Sequence, residues 1–334
     1  MRILIIGGTG FIGPYVVKEL HEEGHTLAMF NRGHAPLELS DVTVIQGDIE
    51  SLADYKSEFQ RFAPDVVVHM IAYTERDAHT AVSLFAGIAK RIVVLSSMDV
   101  YRAYGIVIGL EDAPPLPIPL DEQSPLRERL YPYGGDYEKI LVERVMLNQA
   151  ALLPATVLRL PMVYGPGDPS HRLYKYVKRK LDNRSVLVLD EGFAHWRASR
   201  GYVENVAHAI AVAAVSPVTG NRVYNVGEED AHTEKEWAHA IARTLMWEVE
   251  VYTAAKSELP SELANRLLRT EQDWITNTSL IRKELGYKEI VAPEAALLAT
   301  VQWEAANPPA ALHPKDYPLL NYEDEDSFLS NCLK

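Results

Sequence analysis

The sequence predicts an α/β fold, a doubly wound parallel sheet followed by a smaller mixed lobe. Three observations predict this class. Apolar runs of strand length alternate with segments of helical periodicity, and such runs indicate parallel strands that are covered on both faces. A glycine-rich turn follows the first apolar run. Beyond Gly165 the alternation weakens, which favours a less regular second part of the chain.

The predicted elements follow this alternation in order. Each apolar run is short, and turn-forming residues bound it. Right-handed crossovers between the runs then give a Rossmann-type sheet. The predicted strands span residues 2–6, 26–30, 42–46, 66–70, 92–95 and 156–160. The predicted helices of the sheet region span residues 14–23, 52–62, 78–89 and 137–150.

Domain boundaries are expected where this regularity changes. Residues 1–165 form the predicted core, and parts of 201–230 return to it. Residues 166–307 form mainly the smaller lobe. The tail, 308–334, is rich in proline and acidic residues, so it either wraps the surface or is poorly ordered. Six prolines between residues 111 and 132 indicate a long loop or a lid.

Composition excludes several classes of protein. A net charge of −13 over 334 residues argues against general binding to nucleic-acid phosphates. Cys332 is the single cysteine, so a disulfide or a cysteine-based metal site within one chain is excluded, and no metal is expected. No apolar run reaches the roughly 18 residues of a membrane span, and no leader pattern opens the chain. We expect a cytoplasmic protein without nucleic-acid or membrane partners.

The first glycine-rich turn has the pattern of a dinucleotide site. It runs from the strand 2–6 into the helix 14–23, which is the context that this motif requires. Glycines allow the tight turn, the close approach of the backbone to a pyrophosphate and close packing of helix on strand. The helix N-terminus then presents free N–H groups to the phosphates. The expected contacts are Gly7, Gly10, Phe11, Ile12 and Gly13.

The end of the second strand indicates which dinucleotide is bound. An acidic residue there would hydrogen-bond the adenosine ribose, but this chain has Asn31 and Arg32. Asn31 removes a charge that would repel a 2′-phosphate, and Arg32 can pair with that phosphate. We therefore expect NADP, with NAD as the second choice. Alternatively, Asn31 alone binds a ribose hydroxyl. Asp48 and Ile49, after the third strand, are expected at the adenine.

Further short motifs occur along the chain in the same order as in one protein family. They are Gly47-Asp48, residues 67–72, residues 95–101, Lys139 with Glu143, residues 158–167, residues 201–207 and residues 224–227. Together with the glycine turn, they resemble the extended short-chain dehydrogenase/reductase family, the group of NAD-dependent epimerases and dehydratases.

This resemblance implies roles for named residues. Ala72 would line the cofactor, and Ser97 would hydrogen-bond the reacting carbonyl or alcohol. Lys139 would hold the nicotinamide ribose and lower the pKa of a catalytic tyrosine. In relatives, the helices that correspond to 78–89 and 137–150 build a dimeric bundle, so the resemblance also implies a homodimer.

The Tyr–Lys motif of the family is atypical here. The family's tyrosine stands four residues before the lysine, a position that Gly135 occupies in this chain. Three interpretations remain open. Tyr133 reaches the site across Gly134 and Gly135; or Tyr137 substitutes, although helical spacing would point it away from Lys139; or no tyrosine is in place and another acid such as Asp99 acts. Tyr133 is the predicted catalytic acid.

Two functions of different classes follow from these residues. The first is an NAD(P)-dependent oxidoreductase or epimerase that acts on a sugar-like or other small hydroxylated or carbonyl substrate, with Ser97, Tyr133 and Lys139 as its catalytic residues. The second is a non-catalytic NAD(P)-binding redox sensor or scaffold, which the missing tyrosine at position 135 favours. An RNA-associated relative is a third possibility, and the acidic net charge counts against it.

Overall fold

The structure is a computed structural model that describes residues 1–33, 39, 41–131, 137–149, 151–218, 220–264, 268–312 and 317–332. Its strands are β1 (Arg2–Ile6), β2 (Thr26–Asn31), β3 (Thr43–Gln46), β4 (Val66–His69), β5 (Arg91–Ser97), β6 (Ala155–Leu160), β7 (Met162–Tyr164), β8 (Val186–Asp190), β9 (Arg200–Tyr202), β10 (Arg222–Asn225) and β11 (Glu250–Ala254).

The helices alternate with these strands, and short 3-10 helices span Ile49–Tyr55 and Met98–Val100. The α-helices are α1 (Gly13–Glu22), α2 (Lys56–Phe62), α3 (Glu75–Phe85), α4 (Arg102–Val107), α5 (Lys139–Asn148), α6 (Tyr174–Leu181), α7 (Glu191–His195), α8 (Val203–Val215), α9 (Glu234–Thr244), α10 (Ser279–Leu285), α11 (Pro293–Ala306), α12 (Tyr317–Leu320) and α13 (Tyr322–Cys332).

A parallel sheet forms the centre of the molecule. In the described ranges it has seven strands in the order β10-β6-β5-β4-β1-β2-β3, and every neighbouring pair is parallel. The chain leaves β1 in both directions across the sheet, so the order reverses beside that strand. The predicted α/β fold class with a Rossmann-like sheet is confirmed.

The alternation of side chains along β1 explains why both faces of the sheet are covered. Ile3 and Ile5 belong to one buried cluster, which α1 and α8 complete. Leu4 and Ile6 belong to another, to which α2, α3 and α5 contribute. Successive strand residues point to opposite faces, so a strand that is apolar at every position requires helices on both sides.

Helix starts differ from the sequence prediction where a side chain caps the first turn. The helix predicted at 78–89 spans α3 instead, because Thr74 and Asp77 form a capping box before it. The helix predicted at 137–150 begins at Lys139, because the Glu138 carboxylate accepts the N–H of Ile140 at 3.1 Å. Tyr137 therefore precedes α5 and does not lie on it.

The second part of the chain adds two small sheets. Strand β8 pairs with β11 and β7 pairs with β9, both in parallel. Strand β10 returns to the main sheet beside β6. The division into residues 1–165, 166–307 and 308–334 stays a prediction.

A buried ion pair docks the described part of the C-terminal tail. Both carboxylate oxygens of Glu325 in α13 accept from Arg179 Nη2, at 2.6 and 2.7 Å. The Arg179 side chain is fully buried and that of Glu325 is 2% exposed. Arg179 also donates to the Leu319 carbonyl. Of the two expectations for the tail, residues 317–332 therefore match the one that wraps the surface.

Replacing Glu325 with alanine is expected to lower the free energy of unfolding by about 3–5 kcal/mol, because Arg179 would remain buried without its partner. Urea-induced unfolding measures this loss. Asp326→Ala is the matched control. Its side chain is 60% exposed and pairs with Arg184, so about 0–1 kcal/mol is expected. Equal losses in the two variants would contradict the structural role of the buried pair.

Candidate functional site

The glycine turn after β1 has a shape that only glycine permits. Gly7 and Gly8 have φ angles of 103° and 87°, in the region that side chains rarely adopt. A Cβ on Gly13 would lie 2.4 Å from the backbone of Gly8. Loop and helix can approach each other this closely only because these positions lack side chains.

The turn leaves room for a ligand where the sequence predicts a pyrophosphate. A Cβ built on Gly10 meets no atom within 4 Å, and Phe11 and Ile12 are half-buried beside it. The side chain of Ile12 makes no capping hydrogen bond to α1, so the N–H groups of the first turn keep their capacity to donate. This chemistry fits a dinucleotide.

The residues predicted at the adenosine lie together after β2 and β3. Asn31 is buried, and its Oδ1 accepts the N–H of Gly33 at 2.7 Å. Arg32 is exposed, and its carbonyl accepts from Gln46. Asp48 is exposed and caps the 3-10 helix that begins with Ile49, accepting the N–H of Glu50 at 3.0 Å. Asn31 thus shapes the turn that presents Arg32.

The two serines that end β5 have different surroundings. Ser96 is buried, and its hydroxyl donates to Glu143 at 2.5 Å. Glu143 in turn pairs with Arg159 at 2.7 Å, so Arg159 braces the junction of β5, α5 and β6. Ser97 is half-buried, and its Oγ accepts the N–H of Asp99 at 3.2 Å.

Asp99 and Tyr137 form a buried hydrogen bond next to Ser97. The Tyr137 hydroxyl donates to Asp99 Oδ2 at 2.8 Å. Asp99 Oδ1 is buried without a hydrogen-bond partner among the described residues. Burial raises the pKa of the Asp99 carboxyl. Burial, followed by the nearby Asp99 carboxylate, raises the pKa of the Tyr137 phenol.

Lys139 lies beneath this pair, at the first position of α5. Its Nζ donates to the carbonyls of Ala72 at 2.6 Å and Leu95 at 2.9 Å. The same Nζ lies 4.6 Å from the ring centre of Tyr73 and 5.9 Å from that of Tyr137. Burial lowers the pKa of the amine to about 8. Ala72 therefore meets Lys139 through its backbone carbonyl.

The structure tests one of the three interpretations of the Tyr–Lys motif, the one that concerns Tyr137. The expectation that Tyr137 points away from Lys139 assumed a helix through both residues, and it is wrong because α5 begins at Lys139. Tyr133, Gly134 and Gly135 lie outside the described residues. Ser97, Asp99, Tyr137 and Lys139 come together, and the role of Tyr133 stays a prediction.

A buried ion pair that sequence reasoning missed holds this cluster. Arg127 Nη2 lies 3.0 Å from Glu138 Oε1, and Arg127 Nε donates to the backbone carbonyl of Asp99 at 2.6 Å. Glu138 also accepts the N–H of Tyr131 at 2.7 Å. Arg127 lies in the proline-rich stretch that was assigned to a loop or lid. No local motif marks it, because its partner is 11 residues away.

A cavity of about 430 Å³ reaches Tyr104, which two ring contacts through Tyr131 connect to Tyr137. Met162, Trp196 and Arg200 line it. Arg197 pairs with Asp273 at 2.8 Å. Aromatic stacking connects the cavity to Tyr137. The ring of Tyr131 lies 5.3 Å from that of Tyr137 and is parallel to the ring of Tyr104, a lining residue.

His69 is the last residue of β4. It is fully buried, and neither ring nitrogen has a hydrogen-bond partner among the described residues. Burial lowers the pKa of its imidazole to about 3, so the ring is neutral.

Within the described ranges, no helix is both long enough and apolar enough to cross a membrane. The same ranges contain no group of three or more His, Cys, Asp or Glu side chains that could hold a metal ion.

Comparison with known proteins identifies the family. The model of the NAD dependent epimerase/dehydratase family matches residues 3–227. The chain is similar to a 2-alkyl-3-oxoalkanoate reductase of Stenotrophomonas maltophilia, with 27% identity over 65% of this chain and 67% of the relative. It is also similar to a 3-diazoavenalumate denitrifying reductase of a Streptomyces species, with 28% identity over 80% of this chain and 87% of the relative.

A solved structure agrees on the fold. The dTDP-glucose 4,6-dehydratase of Bacillus anthracis, crystallised in complex with NAD, has a TM-score of 0.67 and 20% identity, covering 92% of this chain and 97% of that one. These matches confirm the predicted family, the fold class and the prediction of an enzyme.

The neutral state of His69 gives a stability prediction. Between pH 6.5 and about 3 the unfolded chain binds a proton that the folded chain excludes, so stability falls as pH falls through 6.5. At pH 5 this loss is about 2 kcal/mol relative to pH 7. His69→Leu should remove that part of the loss, as measured by urea unfolding at the two pH values.

The exposed histidine His79 supplies the control, since His79→Leu should keep the wild-type dependence on pH. His208 acts in the opposite direction. Its hydrogen bond to Glu19 raises its pKa, so its contribution is complete below pH 6.5 and is lost as pH rises. An unchanged pH dependence in His69→Leu would contradict a neutral His69.

Proposed function

The chain belongs to the NAD dependent epimerase/dehydratase family, and from this premise we propose that it is an NAD(P)-dependent oxidoreductase of small carbonyl or hydroxyl compounds with Tyr137 as its proton-transferring residue. One observation carries the proposal. The Tyr137 hydroxyl, bonded to Asp99 at 2.8 Å, lies beside Ser97 and Lys139 at the carboxyl end of β5. Ligands of open parallel sheets bind at that edge.

The glycine turn and the residues after β2 and β3 would hold the dinucleotide. Gly7, Gly10, Phe11, Ile12 and Gly13 would contact the pyrophosphate, in keeping with the space around Gly10. Lys139 has three donors, of which two go to backbone carbonyls, and we assign the third to the nicotinamide ribose. When bound, the dinucleotide supplies or accepts a hydride at C4 of its nicotinamide.

Ser97 would orient the reacting oxygen. Its Oγ accepts from a backbone N–H and can donate its own proton outward. A hydrogen bond to a carbonyl oxygen stabilises the negative charge that develops there as the carbonyl carbon is reduced.

Tyr137 and Asp99 would move the proton. Burial raises the pKa of both groups, which makes each ion less favourable here than in water. During reduction, Tyr137 donates its proton to the substrate oxygen, and a proton that reaches the site through Asp99 replaces it. During oxidation of an alcohol both transfers reverse, and the proton ends on Asp99. The number of protons is therefore balanced in both directions.

A non-catalytic sensor or scaffold is the competing function. It would use the same glycine turn and would leave Ser97 and Tyr137 without a chemical role. An epimerase is a third outcome, in which hydride leaves and returns on one substrate molecule. Turnover with cofactor exchange distinguishes the three.

Tyr137→Phe is expected to lower kcat by about 10²-fold or more, because the phenol proton is lost while the ring still packs. Binding of NADP should not change. The measurement is NADPH oxidation with a panel of aldehydes and ketones, together with cofactor titration by fluorescence. Tyr252→Phe, in the remote strand β11, is the matched control and should retain activity.

Tyr133→Phe decides between the tyrosines. Under the present proposal it keeps most of its turnover. If Tyr133→Phe loses turnover and Tyr137→Phe does not, Tyr133 is the catalytic acid that the sequence predicts, and the proposed role of Tyr137 is wrong.

We propose NADP as the preferred dinucleotide, with NAD second. The exposed guanidinium of Arg32 is supported by the turn that Asn31 fixes, and it can pair with a 2′-phosphate. Asp48 and Ile49 would border the adenine.

Arg32→Ala should raise the Kd for NADP by roughly 10- to 100-fold, the range of a charge-assisted hydrogen bond, and should change the Kd for NAD by less than about twofold. Isothermal titration of both cofactors measures this difference. Arg61→Ala removes an exposed arginine of α2 and serves as the control. An equal loss for both cofactors would contradict the NADP preference.

We also propose a homodimer that uses the outer faces of α3 and α5. Ile140 and Val145 of α5 are buried in the subunit's own clusters. Half-buried residues such as Leu141 and Leu147 would therefore supply the contact. The cytoplasm remains the predicted location.

A further inference from the structure

We propose that the cavity lined by Tyr104, Trp196 and Asp190 binds an apolar aryl or alkyl carbonyl compound whose far end carries a hydrogen-bond donor for Asp190, and that it does not bind a nucleoside diphosphate. The inference rests on the proposed function, because it names the substrate class of that same site.

The lining of the cavity is the first observation. Its volume of about 430 Å³ suits a small molecule, and aromatic rings and leucines supply most of its walls. The aromatic lining residues include Tyr104, Tyr176, Phe193, Trp196, Trp237 and Trp274. Flat apolar walls favour an aryl or alkyl group.

The charges in the lining are the second observation. Arg172 pairs with Asp168 at 2.6 Å, and Arg200 pairs with Glu234. A diphosphate needs cations that can turn toward it. Both guanidinium groups already face a carboxylate, and Glu234 itself lines the cavity. Lys175 also lines it, and its Nζ lies 5.5 Å from the ring centre of Tyr176. Binding a diphosphate would break these pairs and bring phosphate charge close to carboxylates.

Asp190 is the third observation, and it indicates the polar end of the ligand. Its Oδ1 accepts the N–H of Phe193 at 3.2 Å, which caps α7. Its Oδ2 is buried without a hydrogen-bond partner among the described residues. Leaving a buried charged oxygen unpaired is costly. A hydroxyl or amino group on a bound ligand would satisfy this oxygen, since Asp190 lines the cavity.

Two ketones that differ by one hydroxyl test the proposal. Para-hydroxybenzylacetone and benzylacetone are titrated into the NADP⁺-loaded protein, where no reduction can occur. Tryptophan fluorescence reports binding, because Trp196, Trp237 and Trp274 line the cavity. The hydroxylated ketone should bind at least about tenfold more tightly, and UDP-glucose should bind more weakly than either ketone.

Asp190→Asn separates the proposed contact from the structural role of this residue. Asparagine keeps the oxygen that caps α7 and replaces Oδ2 with an amide nitrogen, which cannot accept a hydrogen bond. The tenfold preference for the hydroxylated ketone should fall to about twofold or less. Glu191→Gln changes the exposed neighbouring carboxylate and should retain the preference.

Each other outcome overturns the inference. These outcomes are tighter binding of UDP-glucose, no preference for the hydroxyl in the unaltered protein, or an unchanged preference in Asp190→Asn. Turnover distinguishes the two proposals. The expected binding pattern without NADPH oxidation would refute the oxidoreductase and keep the cavity assignment. Oxidation of NADPH by other carbonyls without this pattern would do the reverse.

Discussion

The geometry of the candidate site depends on the buried pair of Arg127 and Glu138. Their closest atoms are 3.0 Å apart, and their side chains are 0% and 5% exposed. A buried ion pair is tolerated only when further hydrogen bonds satisfy both partners. Here those bonds reach the backbone of Asp99, the N–H of Tyr131 and the first turn of α5. One pair thus sets where Asp99 lies and where the helix after Tyr137 begins.

The fold could be predicted because its causes are local or periodic. Along β1, Ile3 and Leu4 face opposite buried clusters. An uninterrupted run of apolar residues predicts burial on both faces, even when the helices that cover the strand are not known. The close approach at Gly13 could be predicted as well, because a strand, a turn and a helix meet there within a few residues. The starts of helices were harder to predict from the sequence. The Glu138 carboxylate that caps α5 also pairs with Arg127, which lies 11 residues earlier in the chain.

The site was harder to predict because its contacts join distant parts of the chain. Tyr137 meets Asp99 across 38 residues, and Lys139 meets the Ala72 carbonyl across 67. A helical spacing rule assumed a helix at Tyr137 and so gave the wrong direction. The docking of the tail through Arg179 and Glu325 spans 146 residues and carries no local signal either.

The chemistry of the cluster departs from simple activation of a tyrosine by a lysine. In that scheme an ammonium lowers the phenol pKa, whereas here burial, followed by the Asp99 carboxylate, raises the pKa of Tyr137. Lys139 is buried against two carbonyls, and the charge of Asp99 partly offsets the cost of burying its ammonium. In the proposed mechanism, the phenol gives up its proton and a protonated Asp99 replaces it. Because that replacement requires the protonated carboxyl, lower pH favours the reductive direction and higher pH favours oxidation.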